Sequence, residues 1–233
     1  MGSLLLARHS ITAASAGGRN LGQSADPPLT DAGRVLAERL GQTVRAELQA
    51  LPLSELRLVS SPARRCLQTM AAIVRALAEQ GGIGGREYAD PLLERSAGLL
   101  ELDYGSWEGL SPEECSARDP ELRAAWDADP YATRTPGGES GADVAARAFR
   151  VLDELEAWLA ADRGRCAVVV AHNHVNRLRL CALFSWPMRD YRRRVRQDPA
   201  GYSLVTFGAE LPIIRRVNAP PGPAGGLVEA LPL

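Results

Sequence analysis

The 233-residue sequence predicts an α/β fold: a three-layer sandwich whose mostly parallel central sheet carries helices on both faces and one helical insertion. Three observations predict it. Apolar strand-like runs alternate with segments of helical periodicity. One run, Cys166–Ala171, is almost wholly apolar and β-branched, as in a strand buried on both faces of a parallel sheet. No repeat or linker divides the chain, whose length suits one larger-than-average domain.

Taken in order, Ser3–Ala7 reads as the first strand and Ser10–Pro28, rich in Gly, Ser and Ala, as a loop. Thr30 offers an N-cap to a helix whose apolar positions are Val35, Leu36, Leu40, Val44 and Leu48. Leu56–Ser60 reads as the second strand. Ser60-Ser61-Pro62 then supplies a cap hydroxyl and a first-turn proline, so a helix is expected from the strand's end to about Glu79, broken by Gly81–Gly85. Residues 88–163 read as loops and helices without a strand. Ser111-Pro112-Glu113-Glu114 is a capping-box start, and Ser140 precedes a helix with Val144, Ala148, Val151, Leu155 and Leu159 on one face. After Cys166–Ala171, His174 falls in the first turn of another helix, and Tyr202–Phe207 and Ile213–Val217 complete the sheet. The core is thus expected from 1–87 and 164–217, the helical excursion is 88–163, and 218–233 is a Pro/Gly-rich tail.

A formal net charge of −1 gives no electrostatic case for nucleic acid or an anionic membrane as partner. Nor does any apolar run reach the length of a membrane span. The four cysteines are widely spaced with no C-x-x-C, which argues against a disulfide framework or zinc site and for reduced thiols in a cytoplasmic protein. All 27 basic residues are arginine. Without lysine, a G-x-x-x-x-G-K-[ST] phosphate loop and Schiff-base chemistry are excluded. Any anion must be held by guanidinium groups, imidazoles and backbone amides.

The chemistry-bearing residues gather at strand ends, where ligands bind in such folds. Arg8-His9 ends the first strand, Arg65 follows the second, and His172 ends Cys166–Ala171. Each alone could be a surface or capping residue; three separated segments converging on one sheet edge are harder to explain that way. The motifs resemble those of the histidine phosphatase superfamily, which includes cofactor-dependent phosphoglycerate mutase, over nearly the whole chain. Arg8-His9-Ser10-Ile11-Thr12 resembles its R-H-G-x-T, Asp26 to Gly33 its D-x-P-L-T-x-x-G, and Ser60 to Thr69 its S-S-P-x-x-R-x-x-Q-T. Leu99 to Gly109 resembles L-x-E-x-x-x-G-x-W-E-G, and Gly137-Gly138-Glu139-Ser140 and Val168 to His172 match two later motifs.

The resemblance implies that the excursion lies over the active site and that His9 is the nucleophile, with Glu101 as proton donor. It implies Arg8, Arg65 and His172 around the transferring phosphoryl group, with no metal and no cofactor. Phosphate ligands would be Arg8, Ser15, Arg65, His172 and Asn173; Ser15 stands where the family has asparagine, and Ser10 and Asn173 where it has glycine. The expected activity is a metal-independent phosphatase acting on small phosphomonoesters through a phosphohistidine, with a small phosphorylated metabolite as partner and a homodimer compatible with the sequence. Alternatives are a phosphoglycerate mutase, disfavoured because no L-N-E-R-H-Y-G counterpart is present, and a catalytically degenerate phosphate-ligand-binding module. His172-x-His174 can also be read as a metal pair, less favoured with only three histidines. Glu139 and Asp143 read as capping residues, and the arginines of Arg189–Arg196 as a solvated helix face rather than an anion site.

Overall fold

The computed structural model describes residues 1–79, 93–208 and 211–222. Six strands, β1 (Gly2–Arg8), β2 (Glu55–Ser60), β3 (Leu93–Arg95), β4 (Arg165–Ala171), β5 (Tyr202–Phe207) and β6 (Ile213–Ala219), form one sheet in the order β3-β2-β4-β1-β5-β6. The pairings from β3 to β1 are parallel, and those joining β1, β5 and β6 are antiparallel. The expected mostly parallel sheet is therefore present.

The helices that matter here are α1 (Ala13–Ala16), α2 (Asp31–Gln49), α3 (Arg64–Ala78), α4 (Pro112–Arg118), α5 (Pro120–Ala128), α6 (Gly141–Ala160), α7 (Asn173–Leu183) and α8 (Tyr191–Arg194). The period-2 alternation of the central strands sends their side chains to two cores. Leu4 and Leu6 of β1 with Val169 and Ala171 of β4 pack against Val144, Ala148, Leu152 and Val175 of α6 and α7. Leu5, Ala7, Val168 and Val170 pack oppositely on Leu40, Val44, Met70 and Ile73 of α2 and α3. Each such buried Leu or Val side chain contributes about 1.5–3 kcal/mol of transfer free energy. Because Cys166–Ala171 is covered from both sides, it could afford no polar position.

Register then places the site. Arg8 pairs with Ala171 and Ser60 with Val170, so β1 and β4 end level and β2 ends one residue earlier, and the next residues, His9, Ser61 and His172, emerge at one sheet edge.

The structure departs from the sequence expectations in several places. The helix after β2 starts at Arg64 with Ala63 as N-cap and no side-chain cap. The two serines are engaged elsewhere: Ser60 Oγ donates to the Ser61 carbonyl at 2.8 Å, and Ser61 Oγ lies 2.8 Å from His172 Nε2. The Gly81–Gly85 break lies outside the described residues. Strand β3 lies in the stretch read as strandless; three residues are too few to show a period, and β2 supplies the pairing. The loop Ser10–Pro28 contains the single turn α1, closed by a Thr12–Ser15 capping box. Val35 is 50% exposed, off the buried face of α2. Strand β6 continues through Ala219, into what reads as tail.

Candidate active site

His9 sits at the carboxyl end of β1, its amide donating to the Ala171 carbonyl at 3.0 Å. Its Nδ1 is 2.7 Å from the Ser10 carbonyl oxygen. A carbonyl only accepts, so Nδ1 carries the proton and Nε2 holds the free lone pair. The ring is 3% exposed. Burial, reinforced by the Arg8 and Arg65 charges, holds its pKa well below 6.5. A neutral imidazole with an unengaged Nε2 is the form a nucleophile needs.

Two guanidinium groups flank it. Arg8 donates through Nη1 to the Gln197 carbonyl at 2.6 Å. Arg65, in the first turn of α3, donates through Nη2 to the Gly22 carbonyl at 3.0 Å and lies 3.7 Å from Asp26. Among the described residues both Nε atoms are buried without a hydrogen-bond partner, which leaves donors for an anion. The neighbouring Arg64 is exposed; the i-to-i+1 rotation of the helix separates the two. His172, fully buried, packs edge-on to His9 with ring centroids 5.2 Å apart. Burial, then Arg65, depresses its pKa well below 6.5.

Glu101 approaches from the excursion. Its Oε1 accepts from the amides of Leu102 (2.9 Å) and His174 (3.2 Å), and its Oε2 from Asn173 (3.1 Å). Burial raises its pKa above 4.5, against the opposing pull of those amides and of Arg65 and Arg8. The carboxyl and the His9 imidazole are thus pushed in opposite directions, the pattern of an acid paired with a nucleophile. Its segment is fixed by Arg147 of α6, which donates to the carbonyls of Gly98, Leu100 and Glu101 at 2.6–2.9 Å and grips Glu139 through two hydrogen bonds.

Arg8, His9, Ser15, Glu101 and Asn173 line one cavity of about 210 Å³, while Arg65 opens onto an adjoining recess of about 140 Å³. The Ser15 hydroxyl is committed locally, accepting from Thr12 N at 2.9 Å. Asn173 Oδ1 is buried without a partner among the described residues. Replacing glycine at Ser10 and Asn173 carries no backbone strain: among the described residues, positive φ outside glycine occurs only at Ser185, Ala200 and Asn218. Ser10 instead donates Oγ to the Gly33 carbonyl at 2.7 Å and its amide to Thr69 Oγ1 at 3.0 Å.

Other readings resolve on their contacts. His174 is a core residue, its Nε2 2.7 Å from Tyr104 Oη and its Nδ1 2.6 Å from Tyr191 Oη, so it makes no metal pair with His172. Asp143 caps α6 as expected. Glu139 does not cap; it is the ion-pair partner of Arg147. The arginine run is not wholly a solvated face, because Arg192 lines the cavity with His9. Arg147 and Arg177 escaped sequence reading: among 27 arginines, nothing local marks those that fold inward.

The geometry has counterparts in known proteins. The family model described as histidine phosphatase superfamily (branch 1) matches residues 4–220. A bifunctional protein of Mycobacterium tuberculosis is 34% identical over 170 residues, covering 72% of this chain; the chain spans only 40% of that relative's length. A glucosyl-3-phosphoglycerate phosphatase of Mycolicibacterium vanbaalenii is 33% identical over 193 residues, 81% of this chain and 76% of that one. A solved mycobacterial glucosyl-3-phosphoglycerate phosphatase complexed with VO3 superposes with a TM-score of 0.72 at 26% identity, covering 94% of this chain and all of the other. With its converging strand ends, paired imidazoles and a family match over almost its full length, the chain belongs to the histidine phosphatase superfamily, branch 1.

Proposed function

We propose that the protein is a phosphatase that hydrolyses small phosphomonoesters through a phosphohistidine on His9, with no metal required. The observation that carries the reading is the buried, neutral His9 whose Nδ1 is held by Ser10 while Nε2 stays free beside two guanidinium groups with unpaired Nε donors. Relatives named as phosphatases support hydrolysis as the outcome.

In the first step His9 Nε2 attacks phosphorus and the ester P–O bond breaks. Arg8, Arg65 and His172 stabilise the charge on the equatorial oxygens, and Glu101, whose carboxyl burial shifts toward the protonated form, gives its proton to the leaving alkoxide. In the second step the Glu101 carboxylate takes a proton from water, the oxygen attacks phosphorus, and the N–P bond breaks to free His9 and inorganic phosphate. The positive charge comes from arginine, so the steps need no cation from solution.

p-Nitrophenyl phosphate tests this directly. Release of p-nitrophenol should be indifferent to EDTA and fall at least about a thousandfold in His9→Ala, and acid quenching of the wild type should trap an acid-labile phosphoprotein. Activity retained in His9→Ala, or abolished by chelator, would overturn the proposal. Rapid conversion of 3-phosphoglycerate to 2-phosphoglycerate with trace bisphosphoglycerate and no free phosphate would assign a mutase instead.

A further inference from the structure

The mechanism leaves unused one carboxylate beside the site, Glu108. It is half-buried, placed by the fully buried Trp107 before it and by its own amide, which donates to the Gly105 carbonyl at 3.1 Å. Its Oε1 accepts from the Gln23 amide at 2.5 Å and its Oε2 from the Ser24 amide at 2.9 Å, and Oε2 also takes the Ser24 hydroxyl. Two successive backbone N–H groups and a hydroxyl thus converge on one carboxylate, in hydrogen bonds of the stronger, charge-assisted kind. The approach is close enough that a Cβ at Gly22 would collide with that carboxylate and with the Leu102 carbonyl. The turn held in this way carries two groups of the site. The Gly22 carbonyl accepts from Arg65 Nη2 at 3.0 Å, the one hydrogen bond to that guanidinium among the described residues. Asp26, at the far end of the turn, lies 3.7 Å from Arg65 Nη1, beyond hydrogen-bond reach, and its oxygens accept from the Arg64 amide at 2.8 and 3.0 Å. Gln23 Nε2 donates to the Glu101 carbonyl at 2.8 Å. Glu108 therefore fastens a turn that touches Arg65 on one side and the Glu101 segment on the other.

We propose that Glu108 is a positioning residue for phosphoryl transfer, aiming the Arg65 guanidinium at the phosphoryl group through the Gly22–Ser24 turn. The inference rests on the phosphatase reading of the site. Glu108 lines neither the cavity of His9 nor the recess of Arg65, so it acts through the turn and not on substrate. A guanidinium is a planar fork whose bonds to phosphate oxygens depend on alignment, and a misplacement of about 1 Å can cost about a hundredfold in rate. Losing Glu108 should free the turn and spare the rest of the loop. Asn20, just before the turn, is joined to the excursion independently: its amide donates to the Leu110 carbonyl and its carbonyl accepts from the Gly109 amide, both at 2.9 Å.

The test is a double-mutant cycle between Glu108→Gln and Arg65→Gln, read as kcat/KM for p-nitrophenyl phosphate. Glutamine keeps the side-chain shape and leaves one acceptor oxygen where the carboxylate has two. Alone, Glu108→Gln should lower kcat/KM about 10–100-fold; in the Arg65→Gln background, with no guanidinium left to aim, it should cost less than about threefold. Calorimetric titration with inorganic phosphate runs the same cycle without turnover, and the affinity should fall about tenfold in Glu108→Gln alone. Thermal melting identifies a variant that has failed to fold. Ser24→Ala then decides, because it keeps Glu108 and removes only the hydroxyl arm; its loss should be about 3–10-fold and should again depend on Arg65. Losses that multiply in the double variant, as a merely structural role would give, overturn the assignment, and so does an unchanged phosphate affinity in the folded single variants. If no ester is hydrolysed, yet the phosphate titrations show the non-additive pattern, the positioning role stands and the phosphatase reading fails. If the ester is hydrolysed and the losses multiply, the positioning role fails and the phosphatase reading stands.

Discussion

Replacing Glu101 by glutamine keeps the shape of the side chain and removes its proton chemistry. The carboxylate accepts three backbone N–H groups, two on Oε1 and one on Oε2. A glutamine amide has one oxygen, and the orientation that keeps the Leu102 and His174 amides satisfied turns its NH2 toward the Asn173 amide. That donor-to-donor contact costs about 1–3 kcal/mol, partly offset because a neutral amide carries less desolvation penalty than the buried carboxylate. The net stability change should therefore be small. Catalysis should respond far more. General acid–base action contributes about 10²–10⁴-fold, or about 3–5 kcal/mol of barrier, for an alkyl phosphate whose leaving alkoxide must be protonated. p-Nitrophenolate needs little help, so with that ester phosphorylation of His9 should survive and water attack should become limiting. Stopped-flow mixing of Glu101→Gln with p-nitrophenyl phosphate should give a burst of one equivalent and then a slow steady state. With an alkyl phosphate the variant's alkaline pH–rate limb should also vanish, since in the wild type kcat/KM for that ester falls as rising pH removes the proton from the raised Glu101 carboxyl. Equal losses on alkyl and nitrophenyl esters, with no burst and an unchanged alkaline limb, would refute the acid–base assignment.

Acid should destabilise the fold through its buried imidazoles. His9, His172 and His174 all have folded pKa values well below 6.5, so their contribution is intact above 6.5 and is lost as pH falls below it, because the unfolded chain takes up protons first. Each histidine costs up to about 1.4 kcal/mol per pH unit below about 6.5 until its folded value is reached. Glu101, with a raised pKa, acts oppositely, contributing most below 4.5 and losing its contribution as pH rises through its folded value. Three groups against one should make Tm fall steadily from pH 7 to pH 5, and a flat Tm would contradict the neutral-histidine site. Gly33→Ala aims a methyl group at the Ile11 carbonyl, with which its Cβ would collide, beside the carbonyl that holds Ser10. Overpacking of this kind costs about 1–3 kcal/mol, and the shifted loop should reduce activity as well; urea melts and p-nitrophenyl phosphate turnover check both. Ser10→Gly removes the hydroxyl that donates to Gly33 and adds chain entropy, so a loss of about 1–2 kcal/mol is expected in the same melts.

By itself the sequence determined the alternation of strands and helices, because burial on one or two faces imposes a period that survives in local order. It placed the first, second, fourth, fifth and sixth strands, the Thr30, Ser111 and Ser140 caps, and His9, Arg65 and His172 at or just after strand ends. The resemblance of Ser60 to Thr69 to the family's S-S-P-x-x-R-x-x-Q-T implied Arg65 as the phosphate ligand, and the helix turns its neighbour Arg64 outward. What only the tertiary structure decided are matters of partnership. Strand β3 exists because β2 offers it an edge; Ser61 meets His172 instead of capping α3; Glu139 serves Arg147; and Ser10 finds a carbonyl in α2 that makes its hydroxyl tolerable in a buried loop. The arginines show the division most plainly. A guanidinium has the same long, flexible stem on a solvated face as beside a cavity, so no local pattern distinguishes Arg147, Arg177 and Arg192 from their exposed neighbours. Their surroundings are set by residues dozens of positions away, brought close by the sheet and by the packing of α6, α7 and α8.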